Sequence, residues 1–302
     1  MISVLHLETV DYGSALQLQQ TVVELRKRAS IPDVLLLLEH PPVITLGRNA
    51  SQNNLLASSE LLKERGVELF ESNRGGDITF HGPGQLVGYP IFDLRGFSPR
   101  LGAVEFVRRV EEALIRTCGD LGISSERICG LTGVWTQSSG SQTRSAGSSQ
   151  PEPIVAKEPL ALMSEQKKIA AIGVHISRGV TSHGFALNVI TDLDFFKLIV
   201  PCGISDHAVT SIAQELARKR PVPDMEAVAH AASLNFGRVF ARQMLWLESL
   251  EGLLNTEKAR KENADDESTT IGVPLQVPKD LREVRREQKA PQLGSEDEIF
   301  LA

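Results

Sequence analysis

An α+β fold, a sheet covered by helices, is predicted by three features of this 302-residue chain. Several short segments read as strands, two of them joined as a hairpin. Three long segments carry apolar residues at helical spacing. No regular strand–helix–strand alternation links them. The composition, 41% apolar and 23% charged, suits a globular body, and only 5% of residues are aromatic, so an aliphatic core is expected.

Tyr12–Ala29 is the first helix, with Leu16, Val22, Val23 and Leu25 on or near one face. Asp33–His40 reads as a buried strand stopped by Pro41 and Pro42, and Val43–Leu46 resumes extended. Ser59–Arg65 is a short helix ended by Gly66, and Val67–Glu71 a strand. Arg74–His81 is a glycine-bearing connection into extended chain, and Gln85–Asp93 a strand. Gly102–Leu121 is amphipathic, with Val104, Val107, Leu114, Cys118 and Leu121 at helical spacing. Gly133–Thr136, Lys168–Ser177 and Val180–Ile190 are strands, the last two a hairpin over Arg178–Gly179. Asp224–Leu250 is a long helix capped by Asp224, with Met225, Val228, Ala232, Val239 and Phe240 inward.

Two segments interrupt this pattern. Gln137–Gln166 holds seven Ser, four Gln and three Pro among 30 residues and no aromatic, the composition of a flexible insertion in which only Pro159–Met163 has the character to touch the body. From Asn255 to Ala302 the chain carries 8 Lys or Arg against 11 Asp or Glu, and reads as a solvated, disordered tail. The expected organisation is one domain over 1–254, with the insertion at 137–166, followed by the tail 255–302.

The net charge of −6 and the lack of a basic stripe argue against a nucleic-acid binder. Aliphatic runs reach only about the length of Val34–Leu38, far short of a membrane span of ~20 residues. Met1–Val10 carries Glu8 and no basic segment, the pattern of mature protein. Cys118, Cys129 and Cys202 lack the paired spacings of a disulfide framework or a zinc site, and no metal is expected.

The densest unusual string is Arg74-Gly75-Gly76-Asp77-Ile78-Thr79-Phe80-His81-Gly82-Pro83-Gly84. Its glycines let backbone approach a ligand closely, or simply form a tight turn; neither nucleotide-binding glycine spacing is present. Cys202 lies between Pro201 and Gly203, so it is either a turn thiol open to substrate or a small buried hydrophobe. Cys118 is a packing residue by its helical position. Lys168 opens a strand; if Ile169 faces the core, Lys168 faces the opposite side of the sheet. His175 and His183 are structural hydrogen-bonders or bases, and a Cys202–His81 or Cys202–His183 pair of the cysteine-protease kind is compatible with the residue types.

RGGDITFHGPGQLVGYP (Arg74–Pro90), TGVW (Thr132–Trp135), KKIAAIGVHISRGVTSHGFALNV (Lys167–Val189) and VPCGI (Val200–Ile204), together with HPPVITLGR (His40–Arg48), resemble the lipoyl(octanoyl) transferases in that family's order. The resemblance runs from about residue 3 to 250. It implies the biotin/lipoate protein ligase catalytic-domain fold, a mixed sheet flanked by helices. It implies transfer of octanoyl from octanoyl-acyl carrier protein to a lysine of lipoyl domains, as in 2-oxoacid dehydrogenase complexes and the glycine cleavage H protein, with no cofactor. Carried over by position, Cys202 matches the acyl-accepting nucleophile and Lys168 the residue that favours its thiolate. Arg74, Gly75, Gly76, Asp77, Ile78, Thr79, Phe80, His81, Ala171, Ile172, Gly173, Gly184, Phe185 and Ala186 match segments that line the acyl pocket.

The resemblance leaves two rivals: an ATP-dependent lipoate or biotin ligase of the same fold, which needs no thiol nucleophile, and a non-catalytic module that holds lipoyl domains. Oxyanion donors are expected from backbone N–H groups near Cys202 or in Gly75–Thr79. An acidic carrier needs a basic patch, expected at Arg95, Arg100, Arg108 and Arg109. The insertion and tail suggest a mitochondrial protein if the source is eukaryotic, and a cytoplasmic one if it is bacterial.

Overall fold

The computed structural model describes residues 1–136, 166–203, 207–217, 220–253 and 298–301. The main sheet holds β1 (Ile2–Thr9), β2 (Asp33–Glu39), β6 (Gln85–Ile91), β7 (Ser125–Ile128), β8 (Leu131–Thr136), β9 (Lys168–Ser177), β10 (Val180–Asn188), β11 (Met244–Leu247) and β12 (Glu298–Leu301). Their order is β11-β1-β2-β6-β10-β9-β8-β7, with β12 beside β9. β1 is parallel to both β11 and β2, and the other pairs are antiparallel, so the sheet is mixed. A second sheet of β4 (Glu68–Glu71), β3 (Val43–Leu46) and β5 (Ile78–His81) stands beside it.

Alternation along β2 divides the core. Leu35 and Leu37 join the cluster under α3 (Ala103–Asp120) and α5 (Met225–Phe240), while Val34, Leu36 and Leu38 join the cluster under α1 (Tyr12–Lys27). Each strand that carries site residues is thereby gripped on both faces. The hairpin between β9 and β10 turns through Arg178 and Gly179, both at positive φ (51° and 82°), the backbone of a tight two-residue turn. Asp11 and Asp224 cap α1 and α5, accepting from Ser14 N at 2.9 Å and Ala227 N at 2.8 Å. The short α2 (Ser59–Glu64) and α4 (Ile212–Leu216) complete the helices.

The structure differs from the sequence expectations in five places. The helix expected to run to Leu250 ends at Phe240: Ala241 adopts the left-handed conformation, Arg242 N bonds back to Gly237 O at 2.9 Å, and the chain returns as β11 beside β1. The strands β1 and β7 were not expected. Val104 is exposed, because it lies off the arc of α3 centred on Val107, Val110 and Leu114. The core is not wholly aliphatic: six of the eleven Phe residues (92, 97, 106, 185, 236 and 240) gather under α3 and α5. Finally, β12 pairs with β9 (Ile299 opposite Ile176), inside a segment expected to be solvated throughout. The remainder of that tail, and the insertion apart from Gln166, lie outside the described residues.

Candidate active site

A cavity of about 370 Å³ opens where β5, β6, β9 and β10 meet the N-terminus of α1 and the turn Pro201–Gly203. That volume lies in the ordinary range of small-molecule sites, ~300–1,000 Å³. Cys202 and Lys168 both line it. The Lys168 ammonium donates to Cys202 Sγ at 3.3 Å.

Lys168 is placed by its strand. Its N–H donates to Ala208 O at 2.8 Å and its carbonyl accepts from Thr210 N at 2.9 Å, so the backbone is held on both sides. The side chain is 7% exposed, with Nζ 4.8 Å from the centre of the Trp135 ring, a cation–π arrangement. Gly133, at φ +128°, packs on its other flank: a β-carbon there would sit 3.2 Å from Lys168 Cε and 2.7 Å from Ala170 O. Only glycine fits both that backbone and that space.

Cys202 has φ 56° and ψ 20°, left-handed backbone for a non-glycine residue, a conformation that costs on the order of 1–3 kcal/mol and concentrates at functional sites. Its neighbours hold it there. Gly203 N bonds Val200 O at 3.1 Å, and Val200 N bonds Asn54 O at 2.8 Å. Asp77 anchors the floor, accepting from Ser51 N at 3.1 Å, Ile78 N at 2.7 Å and Asn54 Nδ2. A β-carbon on Gly203 would meet Asp77 Oδ2 at 2.6 Å, so the turn sits directly on that carboxylate.

Beyond the thiol the cavity is walled by Val87, Ala171, Ile172, Gly173, Gly184, Phe185 and Ala186, with Tyr12, His81, Tyr89 and His183 alongside. Several polar atoms of these rings are bonded within the protein. Tyr12 donates to Ser72 Oγ at 3.0 Å, and Tyr89 donates to His40 Nε2 at 2.7 Å. His40 Nδ1 in turn donates to Val10 O at 2.6 Å. His81 Nδ1 donates to Gln85 Oε1 at 2.8 Å, and His183 Nε2 to Asn73 Oδ1 at 2.7 Å. Burial pushes His40 down to about 4 and His81 and His183 down to about 3, with Arg74 and neighbouring histidines adding to the effect on the last two. All three are neutral at physiological pH, so His81 and His183 add no charge to the wall. A Cys202–histidine pair of the protease kind is therefore set aside: the partner of the thiol is Lys168.

This neutrality has a stability consequence. A histidine whose folded pKa is depressed contributes fully above its unfolded value of about 6.5, and the contribution is lost as pH falls towards the folded value. Chemical denaturation across about pH 7 to 4 is expected to show stability falling steeply below pH 6.5, with a slope approaching ~4 kcal/mol per pH unit if all three residues take up protons on unfolding. A flat profile over that interval would contradict the assignment of buried neutral rings.

Arg74 is also buried and borders the cavity. Its guanidinium is held by neutral acceptors, Thr45 O at 2.8 Å, Thr45 Oγ1 at 2.9 Å and Gly75 O at 2.9 Å. Burial lowers its pKa, against the opposing pull of Tyr12, Cys202 and Asp77.

Of the residues proposed from sequence, Arg74, Gly76, Asp77, Thr79, His81, Ala171, Ile172, Gly173, Gly184, Phe185 and Ala186 line the cavity together with Cys202 and Lys168. Ile78 and Phe80 do not: alternation along β5 turns them into the small core beneath the second sheet. Gly75 acts one layer back, its N–H bonded to Val174 O at 3.0 Å. The N–H groups of Gly75, Ile78 and Gly203 are thus spent within the chain and are not the oxyanion donors sought there. Three of the four arginines expected to form a basic patch have carboxylate partners. Arg95 pairs with Asp93 at 2.8 Å, Arg108 with Glu111 at 2.8 Å and Arg109 with Glu105 at 2.9 Å, so those charges are answered locally. Tyr12, Asn49, Val87, Tyr89, Gly130, Leu131 and Thr132 also line the cavity and were not among the proposed site residues; their place in the wall is set by tertiary packing.

The model of the lipoyl protein ligase A/B catalytic domain matches residues 11–235. The chain belongs to that family. It is 59% identical over 256 residues to the octanoyltransferase of Koribacter versatilis, covering 85% of this chain and 91% of that one. It is 56% identical to the octanoyltransferase of Acidobacterium capsulatum, covering 84% and 96%. Identity of this order over most of both chains makes the protein an enzyme of the acyltransferase class. Among solved structures, the bipartite lipoate protein ligase of Thermoplasma acidophilum superimposes with a TM-score of 0.58 at 16% identity, covering 88% of this chain and 92% of that one. A lipoate-protein ligase A bound with ATP superimposes with the same score at 15% identity, covering 88% and 94%. These likenesses place the fold, an α+β domain with a mixed sheet, among lipoate ligase catalytic domains. Among the described residues no helix is long and apolar enough to cross a membrane.

Proposed function

We propose that this acyltransferase moves an octanoyl group from octanoyl-acyl carrier protein to a lysine of a lipoyl domain through an acyl-thioester on Cys202. The observation that carries this reading is the Lys168 Nζ to Cys202 Sγ contact at 3.3 Å, in a cavity whose wall includes the apolar side chains of Val87, Ala171, Ile172, Phe185 and Ala186. An ammonium beside a thiol favours the thiolate, which is the attacking species.

The thiolate attacks the carbonyl carbon of the incoming thioester. The bond to the carrier's sulfur breaks, and Lys168 gives its proton to the departing thiolate. Cys202 then holds the acyl chain in the slot, and Lys168 is a neutral amine. The target lysine arrives as an ammonium, loses a proton to Lys168, and attacks the acyl carbon as an amine. Collapse of the second tetrahedral species expels Cys202 as thiolate; the remaining extra proton on the attacking nitrogen leaves to solvent as the amide forms, and the starting ammonium–thiolate pair is restored. Each half-reaction conserves charge and needs neither nucleotide nor metal, because the thioester already carries the activation. Targets of the 2-oxoacid dehydrogenase and glycine cleavage H type fit this scheme equally. Since the relatives named above come from bacteria, the cytoplasm is the proposed location.

Initial velocities test the scheme. Varying the acyl carrier thioester at several fixed lipoyl-domain concentrations, without ATP, is expected to give parallel double-reciprocal lines, the signature of a covalent intermediate with release of the first product. Intersecting lines, or dependence on ATP, would favour direct transfer or the ligase alternative.

A further inference from the structure

We propose that Glu111, on the face of α3 turned to the sheet, is a positioning residue for the Lys168–Cys202 pair. The inference rests on the reading of that pair given above. Glu111 is fully buried, an expensive place for a carboxylate unless every oxygen is partnered. Its two oxygens have different partners. Oε2 accepts from Arg108 Nη1 at 2.8 Å and from Arg127 Nε at 3.0 Å, both reaching in from the surface. Oε1 takes no arginine and accepts the backbone N–H of Gly133 at 3.1 Å.

Gly133 is the residue at which any added β-carbon would come within 3.2 Å of Lys168 Cε and 2.7 Å of Ala170 O. The β8–β9 ladder is irregular between Val134 and Trp135, just where β8 supplies both Gly133 and the Trp135 ring to the lysine. Regular sheet bonding does not fix β8 at that point, and the Glu111 carboxylate takes its place. An ion pair with Arg108 and Arg127 alone has no need of a buried carboxylate: Glu112, one residue on and a third exposed, already pairs with Arg116 at 2.9 Å and Arg127 at 2.8 Å. The buried oxygen aimed at Gly133 is what distinguishes Glu111. Through it, α3 on one face of the sheet sets the wall that holds the ammonium against the thiol.

Two substitutions separate this role from a purely structural one. Glu111→Gln keeps an acceptor long enough for the Gly133 N–H but loses the charge facing the arginines. Glu111→Asp keeps the charge but is one methylene too short to hold Gly133 and the arginines together. Three quantities are read on each: steady-state transfer, the rate of Cys202 alkylation followed by peptide mass spectrometry, and melting temperature. The expected result is that Asp lowers kcat and the alkylation rate on the order of tenfold to a hundredfold, with KM for the acyl donor little changed, while Gln keeps both near wild type even if its melting temperature drops. Glu112→Gln serves as the control and is expected to leave kcat unchanged. Asp retaining activity while Gln loses it, or both variants showing wild-type kcat and alkylation, would overturn the proposal. A Cys202→Ala arm separates the two levels: if that protein still transfers, the thioester reading itself fails; if it is inactive while both Glu111 variants are normal, only the role of Glu111 fails.

Discussion

Cys202→Ala protein is expected to lose transfer by a factor on the order of 10³ or more, with its fold intact. The thiol is half-buried in a turn and takes no part in the three hydrophobic clusters. Truncation therefore removes a nucleophile without opening a cavity in the core. Its left-handed backbone makes alanine no more strained than cysteine, so melting temperature should change little. Serine does not substitute: an alcohol beside an ammonium is not ionised at neutral pH, and no base lies at hand, since His81 and His183 are held near 3. The measurement is steady-state transfer beside a thermal melt. Near-normal activity in the alanine protein would mean that the acyl group never rests on this sulfur.

Lys168 variants are expected to show the second-largest effect. Lys168→Ala removes both the cation beside the thiol and the base of the second half-reaction, and a decrease in kcat on the order of 10²–10⁴ follows. Lys168→Arg is the sharper probe. A guanidinium still offers a positive charge to the thiolate but does not give up its proton, so acylation of Cys202 should persist in part while transfer onward to the lipoyl domain stalls. Acyl-enzyme accumulating in Lys168→Arg protein and absent from Lys168→Ala would show two duties in one side chain. Equal loss of both steps in the arginine protein would confine the lysine to one.

Much of this site was legible in the chain before its structure. Pro201-Cys202-Gly203 signals a turn because both flanking residues punctuate regular structure, and a turn is where Cys202 lies. Alternation placed Lys168 away from the core that receives Ile169. What escaped was tertiary in origin. Tyr12 and Tyr89 stand in the wall with their hydroxyls bonded to Ser72 and to the buried His40, and no local pattern announces those partners. The helix through Phe240 was drawn too long because Ala241-Arg242-Gln243 contains neither glycine nor proline, while the pull of β1 on β11 acts from the far end of the chain. Glu111 reads in sequence as one more charge on a helix rich in Arg and Glu. Its Oε1 meets the Gly133 N–H beside the irregularity at Val134–Trp135, and such irregularities leave no mark in periodicity.

The same contrast accounts for the arginines. Clustered in sequence, they resemble a surface for an acidic partner, yet three of them are bound to carboxylates of their own chain. A carrier-binding surface must be sought by measurement rather than by counting charge.

The central claim, that the acyl group rests on Cys202, is tested most directly by peptide mass spectrometry of wild-type protein mixed with octanoyl-acyl carrier protein in the absence of lipoyl domain and of any nucleotide. One octanoyl group on the peptide that contains Cys202, discharged when lipoyl domain is added, is the predicted result. Transfer that proceeds with no adduct on that peptide, or an adduct that forms only when ATP is supplied, would contradict it.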